Sequence, residues 1–162
     1  MRYVALLVIS VAVLLLSEDG CRARRAELCA AADACELLRA IASGIAESSS
    51  LLTVIDGAGR EAAVRLGIYT AFFDEGGRVR DNVRTCLGKC RIALGGEDGE
   101  RLRAYLGSFG RESSSAAAAE ANAELEYYTA RHRALADSCE RGIKVQRTLV
   151  AAALAVLVIT FI

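Results

Sequence analysis

The amino-acid sequence predicts an all-α protein, a compact helical bundle with a short apolar helix at each end of the chain. The 162 residues contain no proline, and alanine, leucine, arginine and glutamate, which are strong helix formers, dominate the composition. Glycines stand at points where helices could end, for example at Gly76-Gly77 and Gly95-Gly96. An apolar run at each terminus completes the pattern.

The two apolar runs predict membrane helices. Tyr3 to Leu16 is apolar apart from Ser10, and Thr148 to Ile162 is apolar to the last residue. Each run spans only about 22 Å as a helix, which is less than the ~30 Å hydrocarbon core of a bilayer. Flanking residues with long charged side chains can extend the reach of each run into the headgroup layer. We therefore expect an N-terminal membrane helix at 1–17 and a C-terminal one at 148–162.

The residues between the runs form one expected soluble domain, a helical bundle at 22–147. Basic residues border both runs on the side of this domain: Arg22, Arg24, Arg25, Arg141, Lys144 and Arg147. Because cytoplasmic flanks of membrane helices carry an excess of basic residues, the bundle is expected in the cytoplasm at the cell membrane.

Two other interpretations of the N-terminus stay open. Arg2 followed by an apolar run is also typical of a cleaved signal peptide, although Ser17 to Cys21 offers no small-x-small cleavage site. Gly20-Cys21 fits the end of a lipoprotein signal, but the acidic residues before it do not.

Apolar positions at three- and four-residue steps predict the helices of the bundle. The first seam comprises Leu28, Ala31, Cys35, Leu38, Ala42 and Ile45. Ser48 to Ser50 can cap a short helix at Leu51 to Asp56. Further helices are expected over Arg60 to Glu75, from Val79 to Leu94, and from a start near Asp98. The longest helix is expected from Ser113 onwards, with the seam Leu125, Tyr128, His132, Leu135, Cys139 and Ile143, and we expect it to pack antiparallel to the first.

No pattern in the sequence points to an enzyme. The formal net charge is zero, which argues against a nucleic-acid partner. No phosphate-binding loop is present, so no cofactor or small-molecule substrate is expected. His132 has no nucleophile placed beside it by sequence. Cys86 and Cys90, one turn apart, could present thiolates to zinc, but their apolar seam favours small buried side chains, and no metal is expected.

The best candidate for a partner surface is the short helix beginning near Asp98. It is charged on one side and apolar on the other, where Leu102, Tyr105 and Phe109 follow at helical spacing. Its candidate partner-binding residues are Glu97, Asp98, Glu100, Arg101 and Arg103.

Three segments of the chain resemble the stage III sporulation protein AB family. The segment "LGGEDGERLRAYLGSFGRES" is similar to the family's acidic helix start, with Tyr105 standing for its aromatic residue and Phe109-Gly110 for its Leu-Gly pair. The segment "CELLRAIASGIAESSSLLTVI" is similar to the first soluble helix, and the charged closing helix runs into a terminal apolar segment in the same way. The chain lacks the family's usual proline after the first soluble helix.

The resemblance implies a fold like the cytoplasmic domain of the inner-membrane platform protein of type II secretion machines. It also implies a non-enzymatic scaffold in a sporulation-specific, secretion-like complex in the mother-cell membrane around the forespore. The implied partners are other membrane-complex subunits and an assembly ATPase. Two other functions stay open: an exported or lipidated binding domain with disulfides, and a cysteine-based metal or redox sensor.

Overall fold

The computed structural model describes residues 2–108 and 114–161 and confirms that the protein is all-α. Helices make up most of these residues, and they contain no strand; Phe73 and Val79 form an isolated antiparallel bridge. The helices are α1 (Arg2–Ala46), α2 (Leu51–Asp56), α3 (Arg60–Arg65), α4 (Tyr69–Phe72), α5 (Val83–Lys89), α6 (Gly96–Ser108) and α7 (Ser114–Phe161). The predicted start of the last helix at Ser113 lies outside the described residues.

The chain divides into two compact units. The middle unit comprises residues 27–132, and the terminal unit comprises residues 1–26 together with residues 133–162. Both α1 and α7 contribute residues to each unit.

The core of the middle unit is centred on the second half of α1. Its seam positions Ala31, Cys35 and Leu38 are buried as predicted, and Leu37 and Ile41 are buried beside them. The buried stripe is therefore wider than a strict three-four seam, as is usual for a helix packed on several neighbours. Burying each of these leucine or isoleucine side chains stabilises the fold by about 1.5–3 kcal/mol.

The predicted cap of α2 is confirmed. The backbone N–H of Thr53 donates to the Ser50 hydroxyl at 3.2 Å, and Ser50 is extended, as an N-cap residue should be. Gly44 lets α1 approach this helix closely, since a Cβ there would lie 2.2 Å from Val54 Cγ2.

The expected single helix over Arg60 to Glu75 is wrong, because the chain turns at Gly67 between α3 and α4. Gly67 has φ +78°, and a Cβ at this position would lie 2.7 Å from the Arg91 carbonyl oxygen. The backbone N–H of Ala93 donates to the Leu66 carbonyl at 3.0 Å, which fixes the turn from a distant part of the chain.

The helix expected from Val79 to Leu94 is shorter than predicted. Asp74 accepts hydrogen bonds from the backbone N–H groups of Gly76 and Arg78, so the chain before α5 forms a turn rather than a helix. As a consequence, Val79 is half-exposed. Leu94 is buried, but it follows the end of α5.

The terminal unit is built from the first part of α1 and the last part of α7. Cys21 lies close to Gln146, with the thiol donating to Gln146 Oε1 at 3.1 Å, and Arg24 lies against Gly142. Since the contacts move backwards along α7 as they move forwards along α1, the two helices pack antiparallel, as predicted. The seam residue Leu135 is buried in this unit.

Of the segments expected as membrane helices, residues 2–17 belong to the start of α1 and residues 148–161 to the end of α7. Where the structure describes the chain, none of its helices is long and apolar enough to cross a membrane.

Candidate functional site

The candidate partner surface lies at the start of α6 in the middle unit. Gly96, with φ +54°, begins the helix, and Glu97 and Asp98 occupy its first turn, where the helix dipole favours carboxylates. Gly99 allows the first turn to approach the preceding loop, since a Cβ there would lie 2.6 Å from the Leu94 carbonyl oxygen. The predicted apolar face is buried at Leu102 and Tyr105, and Phe109 lies outside the described residues.

Asp98 is the polar centre of this region and is itself buried. Its Oδ1 accepts a hydrogen bond from the Tyr127 hydroxyl at 2.7 Å, and its Oδ2 accepts one from Arg131 Nε at 2.7 Å. The Tyr128 hydroxyl donates to the Asp98 backbone carbonyl at 2.5 Å. Three side chains of α7 therefore bind this one residue of α6, and each oxygen of the carboxylate accepts a hydrogen bond from within the chain.

Arg101 is held just beyond Asp98. Its guanidinium donates to both carboxylate oxygens of Glu124, at 2.7 and 2.9 Å, which is the paired geometry in which arginine binds carboxylates most strongly. The same guanidinium stacks over the Tyr127 ring, 3.7 Å from its centroid. Arg101 is thus fixed by two partners on α7.

Arg103 connects α6 to the end of α5. It donates to the backbone carbonyls of Leu87 at 2.8 Å and Cys90 at 3.0 Å and forms an ion pair with Glu100. Carbonyls at a helix C-terminus lack partners within their own helix, so this arginine caps α5.

The structure therefore separates the predicted residues into two groups. Asp98, Arg101 and Arg103 bind other parts of the chain and fix α6 in place. Glu97 and Glu100 are exposed and form the acidic edge of the surface. An open cleft of about 480 Å³ runs beside this edge, lined by Glu27, Gly95, Gly96, Glu97, Asp98, Tyr127 and Arg131.

The polar partners on α7 were missed from the sequence. The signal was available in their spacing, since Glu124, Tyr127 and Arg131 follow one another at steps of three and four residues. This spacing predicts a polar stripe on α7 beside its apolar seam. The sequence could not indicate that this stripe faces α6, which is about thirty residues away.

The electrostatics keep the donors of this region protonated. The hydrogen bond to Asp98, followed by burial, raises the pKa of the Tyr127 hydroxyl. Burial is the main cause of the raised pKa of Tyr128, and the hydrogen bond to Asp98 raises the pKa of Arg131. The network is therefore a set of protonated donors around one carboxylate.

No cysteine or histidine side chain takes part in the hydrogen bonds described for this network. All six cysteines are free thiols, and burial raises the pKa of Cys35. Cys86 and Cys90 are partly buried, and the Cys90 thiol donates to the Leu87 carbonyl at 3.2 Å. His132 is half-buried. Within 2–108 and 114–161, no group of three or more His, Cys, Asp or Glu side chains is arranged to hold a metal ion.

Comparison with known proteins gives no match: no protein-family model fits the chain, and no curated protein or solved structure is significantly similar to it. The assignment of a function therefore depends on the residues and their arrangement.

Proposed function

We propose that this protein is a non-enzymatic scaffold that holds a helical domain at a membrane and presents it to partner subunits. The observation that carries the proposal is the distribution of apolar side chains between the two units. Of the 25 buried apolar residues among the described side chains, 24 lie in the middle unit and one, Leu135, lies in the terminal unit. The middle unit is thus a domain with its own core.

The terminal unit shows the opposite distribution. Eight large apolar side chains in the described part of the chain are exposed, and six of them belong to this unit: Val8, Val11, Val145, Leu149, Val156 and Ile159. Exposed apolar surface of this kind is typical of regions that contact a membrane or another protein. Together with the apolar runs of the sequence, it supports attachment of both chain ends to a lipid bilayer.

The polar network around Asp98 supports a scaffold rather than an enzyme. It uses its charged groups to fix α6 against α7, and such internally satisfied networks rigidify a domain. The exposed acidic edge, Glu97 and Glu100, is then presented on a rigid helix, which is how a docking surface is best held.

The resemblance to the stage III sporulation protein AB family makes the proposal more specific. The chain would be a subunit of a sporulation-specific, secretion-like complex in the mother-cell membrane around the forespore, with the middle unit in the cytoplasm. Its fold would follow the cytoplasmic domain of type II secretion platform proteins, with membrane helices at both ends. Its partners would be other membrane-complex subunits and an assembly ATPase.

The test in the cell is deletion of the gene in the source organism and complementation. The proposal expects spore formation to stop after engulfment, the full chain to restore it, and a chain lacking residues 148–162 to accumulate without restoring it. Restoration by the shortened chain would contradict the role of the terminal unit. Normal spore formation in the deletion strain would contradict the sporulation role.

Orientation has a test of its own. A reporter that is active only outside the cytoplasm is inserted between Gly95 and Gly96, both of which are exposed. The proposal expects it to be inactive, and strong activity would place the middle unit on the other side of the membrane.

A further inference from the structure

An open groove of about 590 Å³ in the terminal unit combines positive charge with apolar surface. Its lining includes Gly20 and Arg24 of α1 and Arg141, Gly142, Val145 and Leu149 of α7. Its volume is within the range of ligand-binding clefts. We propose that this groove binds one anionic phospholipid, with the headgroup on the arginines and an acyl chain along the apolar residues; this inference rests on the proposed membrane attachment.

The charge of the groove comes from Arg24 and Arg141. Both side chains are exposed, and neither forms an ion pair with any described side chain. Their neighbours differ: Arg22 pairs with Glu18 at 2.7 Å, and Lys144 pairs with Glu140 at 2.8 Å. The two groove arginines are therefore available to an anion, and guanidinium groups bind phosphate with several donors at once.

Gly142 brings one of these cations into the groove. A Cβ at this position would lie 2.9 Å from Arg24 Nη1, so the guanidinium of Arg24 lies directly over the α7 backbone. Gly20 keeps the α1 wall open, since nothing lies within 4 Å of a Cβ built there. Gly142 thus makes room for the Arg24 guanidinium, and the open space beside Gly20 leaves room for a headgroup in the same groove.

The apolar part of the groove follows the charged part along α7. Val145 is one turn beyond Arg141, and Leu149 is a further turn along; they are 59% and 54% exposed. Polar and apolar surfaces in this order match a phospholipid, whose phosphate adjoins its hydrocarbon chains. A free phosphate ion would use only the arginines and would leave the two apolar side chains in water, so the arrangement favours a lipid.

The test is native mass spectrometry of the full chain in a neutral detergent, titrated with phosphatidylglycerol or with phosphatidylcholine of the same acyl chains. We expect the wild type to retain one phosphatidylglycerol selectively and to keep it in the presence of excess inorganic phosphate. Two basic residues at an anionic lipid surface together change the affinity by about thirtyfold. We therefore expect the double variant Arg24→Gln with Arg141→Gln to bind phosphatidylglycerol about thirtyfold more weakly than the wild type.

The matched control is Arg22→Gln with Lys144→Gln, which removes the same charge from residues that already have carboxylate partners. It should change phosphatidylglycerol binding less than threefold. Gly20→Leu narrows the groove without changing the charge, and it should lower binding about as much as the arginine variant does. Circular dichroism verifies that each variant is folded.

Several results would overturn the inference. The wild type could retain both lipids equally, or the two double variants could lose phosphatidylglycerol binding equally. Inorganic phosphate could also displace the phosphatidylglycerol completely. Finally, the protein could form dimers that carry no lipid, which would mean that a second copy occupies the groove. Flotation with neutral vesicles separates this inference from the proposed function. A chain that floats but shows no lipid selectivity contradicts the groove alone, whereas a chain that does not float contradicts membrane attachment.

Discussion

The middle and terminal units use the same two helices in different ways. In the middle unit, α1 carries a stripe of buried residues that includes Leu37, Leu38 and Ile41. In the terminal unit, α1 and α7 pack antiparallel, yet they leave apolar side chains such as Leu149 and Ile159 exposed. Helical periodicity alone therefore does not reveal what covers an apolar face, because α2 and α3, which contact α1, belong only to the middle unit.

We expect the greatest loss of stability at Leu135, which is buried and is the one such apolar residue among the described side chains of the terminal unit. Replacing Leu135 by aspartate places an unpaired carboxylate at a buried position, and we expect a loss of about 4 kcal/mol or more in the free energy of unfolding. The measurement is thermal unfolding by circular dichroism, on the full chain in mild detergent and on residues 22–147, which we expect to fold alone as a helical monomer. Arg133→Ala, at an exposed position, is the control. If Leu135→Asp unfolds at the same temperature as the wild type, α1 and α7 do not pack as described.

The second prediction compares one leucine in each unit. Leu37 is completely buried, and Leu37→Ala should lower the free energy of unfolding by about 3 kcal/mol because it leaves a cavity in the core. Leu149 is 54% exposed, and Leu149→Ala should change the free energy of unfolding by less than about 0.5 kcal/mol. Chemical denaturation of both variants measures the difference. Equal losses would remove the distinction between the units.

The third prediction concerns the polar network of the middle unit. Asp98→Asn keeps the size of the side chain but removes the charge that Tyr127 and Arg131 bind, so we expect a loss of about 1–2 kcal/mol. The value is modest because the Arg131 side chain is 43% exposed. Glu97→Gln, which changes an exposed neighbour in the same turn, should have almost no effect. If both variants melt alike, Asp98 does not fix α6 to α7.

The smallest effect appears only at alkaline pH. Burial raises the pKa of Tyr128 above its ordinary value near 10, so the folded protein keeps this proton when the unfolded chain loses it. The resulting stability is fully present below pH 10 and is lost as the pH rises further. Between pH 9 and pH 11, the wild type should therefore lose about 1.4 kcal/mol more than Tyr128→Phe does. Denaturant midpoints measured at the two pH values check this, and parallel losses would show that Tyr128 is accessible to solvent.

Several parts of the fold that depend on local sequence were predicted correctly, although the local turn at Asp74 was missed. The all-α class, the buried positions Ala31, Cys35 and Leu38 and the Ser50 cap follow from periodicity and capping chemistry within a few residues. The break at Gly67 was missed because it depends on the Arg91 carbonyl, which is distant in sequence.

The candidate site was predicted only in part for the same reason. The sequence indicated the charges of α6, but not which of them would be used internally. Asp98 and Arg101 are engaged by α7, and that pairing depends on tertiary packing. Glu97 and Glu100 stay exposed because α7 reaches only the other side of the helix turn.

The central claim is that the middle unit is a self-contained domain and that the terminal unit contacts lipid. The most direct test is labelling of the full chain in phospholipid vesicles with a lipid-soluble photoreactive reagent, followed by peptide mass spectrometry. We expect peptides from residues 2–17 and 148–161 to carry most of the label and peptides from residues 27–132 to carry little. Two results would contradict this expectation. One is labelling of residues 27–132 at the same level per residue as the terminal peptides, and the other is the absence of label from the terminal peptides of protein that floats with the vesicles.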